Sequence, residues 1–146
     1  MFCVDLTGRV ALVTGGSRGI GAAVARALAE AGSFVVVNFR QDEAGAHKVV
    51  NEIQGAGGKA ASWQADVRDA QAVNTMIEGV VDQLDRLDIL VNNAGIVRDA
   101  LVPEMEDEDW SIVLDTNLKG VFHCSRLVSR HMLGRRWGRI INISSV

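Results

Sequence analysis

At 146 residues, with 48% hydrophobic and 23% charged content, the chain is long enough for one domain with its own core and too apolar for a disordered segment. A formal net charge of −3 excludes a general nucleic-acid binder. Cys3 and Cys124 make neither a disulfide framework nor a metal-ligand spacing, no basic-then-apolar signal pattern opens the chain, and no apolar run reaches membrane-spanning length; a cytoplasmic protein without metal or membrane association is expected.

Val10-Ala11-Leu12-Val13 reads as a buried strand of a parallel sheet. It runs into Thr14-Gly15-Gly16-Ser17-Arg18-Gly19-Ile20-Gly21 and then an Ala-rich helix, where Ile20, Ala23, Val24, Ala27 and Leu28 recur at helical spacing. A strand that turns through glycines into a helix N-terminus is an anion site, because free N–H groups and the positive end of the helix dipole both face the ligand. Gly15 suits the tight turn, Gly19 a close approach to pyrophosphate, and Gly21 close packing of helix on strand. No Lys-Ser or Lys-Thr follows the last glycine, which excludes a Walker loop.

Strand two is expected over residues 34–39, a polar-faced helix over 43–54 ended by Gly55-Ala56-Gly57-Gly58, and strand three over 60–65. Helix three spans 70–84, with Val73, Ile77, Val80, Val81 and Leu84 as its apolar stripe. Strand four spans 89–91 and exits through Asn92-Asn93-Ala94-Gly95; a long helix runs from about 107 to about 133, and strand five covers 139–144. This alternation predicts an α/β fold: a doubly wound parallel sheet of Rossmann type with five strands, one unit over 1–146, joined by right-handed crossovers, with ligand at the carboxyl ends of the strands.

Two residues compete to cap helix three. Asp69 is nearer its start and the better cap, which leaves Asp66 for another role. Along the long helix, Trp110, Val113, Leu114, Leu118, Val121 and Phe122 form the expected core stripe, and Asn117 falls within it, where an unbonded amide would cost roughly 1–3 kcal/mol. Acidic residues 104–109 crowd the helix start, while Arg126, Arg130, His131, Arg135 and Arg136 crowd its end. That arrangement suits the helix dipole, and equally an acidic carrier protein or the phosphates of CoA. Ser144 and Ser145 end strand five, where neighbouring side chains face opposite sides and only one can serve the site.

Thr14-Gly-x-x-x-Gly-x-Gly21, Asp66-Val67, Asn92 to Gly95, Asn117 and Ser144-Ser145, in this order, resemble the short-chain dehydrogenase/reductase family across the whole chain. Gly95-Ile96-Val97-Arg98-Asp99 and the stretch from Trp110 through Asn117-Leu118 are similar to that family's reductases of 3-oxoacyl thioesters. The resemblance implies an NADP-dependent oxidoreductase acting on a 3-oxoacyl group carried by acyl carrier protein or CoA, a homo-oligomer in full length, or else an enzyme for another alcohol or ketone. It implies cofactor contacts from Gly15, Ser17, Arg18, Gly19, Ile20, Gly21 and Arg40, the adenine against Asp66 and Val67, and a ribose against Asn93, Ala94 and Gly95. An acid that would select NAD is missing at the end of strand two, where Phe39 stands, and Arg40 with Arg18 suits a 2′-phosphate. Asn117 is expected to hold a helix distortion and a relay water, and Ser145, with Ser144 as the alternative, to bind the substrate carbonyl.

One departure matters. The family's proton donor lies in a Tyr-x-x-x-Lys helix, and this sequence contains no tyrosine. The chain is therefore expected to be the N-terminal portion of a longer reductase, lacking the C-terminal strands and helices, or a dinucleotide-binding module without catalysis.

Overall fold

The first apolar run forms β1 (Val10–Val13), buried at every residue, and the glycine turn delivers the chain into α1 (Gly19–Glu30). Then come β2 (Phe34–Phe39), α2 (Glu43–Gly55), β3 (Lys59–Gln64), α3 (Ala70–Leu84) and β4 (Ile89–Asn92). A short 3₁₀ turn (Val102–Glu104) leads to α4 (Asp107–Leu114), a π-helical segment (Asp115–Lys119), α5 (Gly120–Arg135) and β5 (Arg139–Asn142). The structure, a computed structural model, describes residues 4–145, so Cys3 lies outside it. Among the described residues no helix is long and apolar enough to cross a membrane.

The five strands pair in parallel in the order β3-β2-β1-β4-β5. The chain builds outward from β1 to β3, then returns to β1's other side, so the order reverses between β1 and β4. Such a reversal opens a crevice at the carboxyl ends of the strands. Alternate residues of β1 serve different layers. Leu12 joins Val36, Met76, Ile77, Leu90, Cys124 and Val128 on the α3 and α5 side, while Ala11 and Val13 join Val35, Ala25, Val49 and Ile53 on the α1 and α2 side. Burial alone pushes the Cys124 thiol up to about 12, so it packs as a small hydrophobe.

Helix starts follow the expected chemistry. Asp69 caps α3 by accepting from Gln71 N (2.8 Å) and Ala72 N (3.1 Å), and Asp42 caps α2 through Gly45 N (3.1 Å). Asp88, just before β4, is 1% exposed and accepts from Val10 N (2.9 Å) and from Arg86 Nε and Nη2 (2.7 and 2.8 Å), with Arg9 at 3.4 Å. Burial alone would raise its carboxyl pKa; the bonds from Arg86 and Val10 and the charges of Arg86 and Arg9 outweigh it and hold the group below its usual range.

Three sequence expectations are corrected. β3 is shifted one residue earlier, because its register matches Lys59 to Phe34 and Gln64 to Phe39, the full length of β2. β5 ends at Asn142 and not at Ser144, because its partner β4 ends at Asn92, directly opposite. The expected core stripe of the long helix faces outward: Trp110 is 60% exposed, Leu118 66% and Phe122 56%. Its buried side is Thr116, Gly120, His123, Cys124, Leu127, Val128 and Met132. Asn117 is accordingly exposed.

Candidate functional site

Residues from four strand ends converge on one cleft of about 310 Å³, lined among others by Gly15, Ser17, Arg18, Arg40, Asp66, Val67, Asn93, Ala94 and Gly95. At the carboxyl end of β1, Thr14 Oγ1 accepts from Asn93 N and Ala94 N, both at 3.0 Å, and the Asn93 amide donates to Thr14 O (3.1 Å) and Gly15 O (3.0 Å). The glycine turn and the β4 exit turn are thereby fastened together. Gly15 has φ +60°, and a Cβ on it would stand 2.9 Å from Ala94 Cα. Gly21 is tighter still, since its Cβ would fall 2.4 Å from Gly15 O and 2.5 Å from Asn93 Nδ2.

Gly19, at φ +55°, has nothing within 4 Å of where a Cβ would be. It is the first residue of α1, a helix that begins without a side-chain cap. Orphan N–H groups, a positive dipole end and open space beside a backbone free of Cβ are what a pyrophosphate needs. The residues present fit a dinucleotide. Arg18 and Arg40 line the same cleft, and its two acids are both committed, Asp42 to the cap of α2 and Asp66 to Arg68. Arg40 is exposed, its Nη2 lies 3.3 Å from Gln41 Oε1, and its carbonyl accepts from Gln64 Nε2 (2.9 Å).

Asp66 takes no part in capping α3. Arg68 Nη2 meets its Oδ2 at 2.6 Å, and Arg68 Nε stands 3.0 Å from both oxygens. Those hydrogen bonds hold the Asp66 carboxyl below its usual range against the opposing effect of partial burial, with the charge of Arg40 adding a smaller push in the same direction.

Asn117 forms a two-point strap: its Oδ1 accepts from Ile96 N and its Nδ2 donates to Ile96 O, both at 2.9 Å. The residue sits within the π segment, so the expected helix distortion is present. Asn117 does not itself line the cleft, but its neighbour Thr116 and its partner Ile96 do. Gly19, Gly21 and the 63%-exposed Ile20 flank the cleft without lining it. Ser144 and Ser145 lie past the end of β5, both exposed.

Sequence reasoning missed Asn38. It is 2% exposed in the middle of an apolar strand, accepts from Gly15 N (3.3 Å), and donates to Ala65 O (3.0 Å) and Trp63 O (3.3 Å). A lone amide in the run Phe34-Val35-Val36-Val37-Asn38-Phe39 was the available signal, since a buried amide must be bonded. His123 was also missed; it is 5% exposed, and its Nδ1 lies 2.9 Å from Val67 O. A carbonyl only accepts, so Nδ1 carries the proton.

A larger hollow of about 840 Å³ lies at the opposite, amino ends of the strands. Its Arg26 is paired with Glu52 (2.6 Å), and Arg86 and Arg9 with Asp88, so its three arginines are already paired. Backbone donors and open cations gather at the smaller cleft. Among the described residues no group of three or more His, Cys, Asp or Glu stands together as metal ligands.

A family model described as short chain dehydrogenase matches residues 9–146. The 3-oxoacyl-[acyl-carrier-protein] reductase of Synechocystis sp. is 53% identical over 141 residues, 97% of this chain and 57% of that protein. The corresponding Staphylococcus aureus reductase FabG is 51% identical over 136 residues, 93% of this chain and 55% of that protein. A crystal structure of a metagenomic short-chain oxidoreductase in complex with NADP is 39% identical, with a TM-score of 0.93 over 97% of this chain and 64% of that one. The chain thus spans little more than half the length of the curated relatives it matches.

Proposed function

Because the chain belongs to the short chain dehydrogenase family, we propose that it is the dinucleotide-binding part of an NADPH-dependent oxidoreductase that reduces a 3-oxoacyl thioester to its 3-hydroxyacyl form. The observation that carries this reading is the convergence of the glycine turn, Arg18, Arg40, Asp66-Val67 and Asn93 to Gly95 on one cleft at the switch point of the sheet. When bound, the reduced nicotinamide supplies a hydride. The chain's own residues bind and orient. The uncapped start of α1 takes the pyrophosphate, Arg18 and Arg40 the 2′-phosphate, the Asp66-Val67 wall the adenine end, and Asn93 to Gly95 a ribose. Asn117 fixes the loop after β4 through Ile96, and Ser145 is the hydroxyl assigned to the substrate carbonyl, where developing negative charge needs a donor. The substrate class follows the names of the relatives from Synechocystis sp. and Staphylococcus aureus, and an acyl carrier protein or CoA is the carrier proposed.

Arg40→Ala tests the cofactor. Losing one charge-assisted bond to a 2′-phosphate should weaken NADPH by roughly 1.5–3 kcal/mol, about ten- to a hundredfold, and NADH hardly at all. Fluorescence titration of both nucleotides reads it, and equal losses would place Arg40 away from the 2′-phosphate.

A second reading, binding without turnover, is favoured by the absence of tyrosine. With no phenol to act as general acid, the chain alone should bind NADPH yet not reduce acetoacetyl-CoA at an enzyme-like rate. Steady turnover by the purified chain would remove that reading.

A further inference from the structure

Where the chain leaves β3 for the wall proposed for the adenine end, its support changes from residue to residue. Ala65 N still donates to Phe39 O of β2 (3.0 Å), and Asp66 O accepts from Asp69 N (3.0 Å) in the turn that starts α3. Val67 lies past the end of the strand pairing, yet it is 6% exposed and lines the cleft. Its carbonyl is met from another layer, by the Nδ1–H of buried His123 at 2.9 Å.

His123 belongs to the buried side of the long helical stretch, together with Thr116 and Gly120. Thr116 lines the cleft itself. Gly120 lies so close to Val67 that a Cβ on it would fall 2.7 Å from Val67 Cγ2. One helix face therefore meets Val67 twice: Gly120 admits its side chain, and His123 fixes its carbonyl. The peptide between Val67 and Arg68 is planar, so its two polar groups turn together. Its N–H donates to Asp66 Oδ1 (3.0 Å) and its C=O accepts from His123, which holds the plane at both ends. A buried carbonyl keeps a bond or turns to find one. Without the imidazole, that turn would carry Val67 and Asp66 with it.

We propose that His123 is a positioning residue of the cofactor cleft: its Nδ1–H holds Val67 O and so sets the wall against which the adenine end packs. His123 does not line the cleft and acts through Val67. The inference rests on the dinucleotide reading above.

The experiment separates the bond from the packing. Asn places its amide nitrogen where His has Nδ1, so His123→Asn keeps the donor and leaves a hole where the rest of the ring stood. His123→Leu and His123→Phe fill the site and remove the donor, and either serves if the other does not fold. NADPH is titrated by fluorescence, and adenosine 2′,5′-bisphosphate, which has the adenine end and no nicotinamide, by calorimetry. The Leu and Phe variants should weaken both ligands by the same factor, about tenfold, the worth of one hydrogen bond. His123→Asn should stay within about threefold of wild type for both, although its cavity lowers the urea midpoint. A role in stability alone would make affinity follow the midpoint across the series, and that pattern overturns the proposal. Wild-type affinity in the Leu and Phe variants overturns it too, as does a loss of NADPH that the bisphosphate does not share. If the wild-type chain binds neither ligand, the dinucleotide reading falls and takes the proposal with it, whereas wild-type binding with unmoved variants overturns His123 alone.

Discussion

Leu90 in β4 is fully buried, yet Ile140 and Ile141 in the neighbouring strand are 39% and 44% exposed, although Leu90 pairs with Ile140 and Val91 with Ile141 in register. Both strands are aliphatic and both are hydrogen-bonded. The difference is cover. β1, β2 and β4 lie between two layers, α1 and α2 on one face and α3 and α5 on the other, while every residue of β5 remains exposed. Backbone pairing makes a strand, but only layers on both faces make it core. The same contrast divides the long helical stretch, whose inner side is buried and whose outer side shows Trp110, Leu118 and Phe122 to solvent.

The largest expected effect tests that division directly. Leu90→Ala should cost roughly 2–5 kcal/mol, because a fully enclosed site leaves a cavity behind. Ile141→Ala should cost about 1 kcal/mol or less, since much of its side chain is already wet. Urea denaturation of both variants decides it, and equal losses would mean that β5 is as well packed as β4.

Glycines sharpen the comparison next. Gly21→Ala forces a methyl onto Gly15 O and Asn93 Nδ2, so it should destabilise by about 1–3 kcal/mol and weaken NADPH binding through the displaced turn. Gly134, in the last turn of α5, has nothing within 4 Å of a would-be Cβ, and Gly134→Ala should stabilise by about 0.5–1 kcal/mol from helix propensity. A shared sign in the denaturation midpoints would contradict the assigned packing.

Much of the covered half was legible. Unbroken runs such as Val10 to Val13 and glycines at turn spacing are strong local signals, and they marked the strands and the glycine turn; Asp66, Val67 and Asn93 to Gly95 were expected at the cofactor only from the family resemblance, and they line one cleft with Arg18 and Arg40. The long helix misled for a physical reason. Periodicity weights large apolar residues, and through residues 110–122 the largest of these point outward, while the buried side begins with Thr116, Gly120, His123 and Cys124, small or polar side chains that give a faint stripe before Leu127, Val128 and Met132 continue it. Arg68 escaped because its role lies in a contact two residues back along a turn, which no pattern records. Asn38 escaped because one amide in an apolar run does not reveal its partners.

The outward face yields a smaller effect on stability. Leu118→Lys with Phe122→Lys should leave the denaturation midpoint within about 0.5 kcal/mol, because neither side chain is buried. Their consequence should be in association. Exposed apolar side chains on that helix and an open edge at β5 each invite pairing with another chain, so the unaltered chain should self-associate in light scattering and the double variant less. A monomeric wild-type chain with a sharp two-state transition would show that the exposed side needs no cover.

Asp88 gives the finest test, because its contribution is fully present and constant at neutral pH and is lost only in acid. It stands at the joint of the two regions: its carboxylate holds Val10 N of β1, and its carbonyl accepts from Arg139 N at the start of β5 (2.9 Å). Its folded pKa is depressed below the usual value, so the folded state favours the carboxylate over the acid. Stability from this group is thus fully present above the unfolded value, about 4, and is lost as pH falls through the folded pKa. The wild-type midpoint should show no slope from Asp88 between about pH 8 and 5 and should decline below about pH 4. Asp88→Asn should start lower at neutral pH, having given up the ion pairs to Arg86 and Arg9, and then decline less steeply in acid. Asp66→Asn supplies the control, since that carboxylate is also depressed but sits on the cleft with a quarter of its side chain exposed, 27%, and carries no strand. Unchanged acid slopes in Asp88→Asn would move the acid sensitivity to other carboxylates and leave the joint held by its backbone bonds alone.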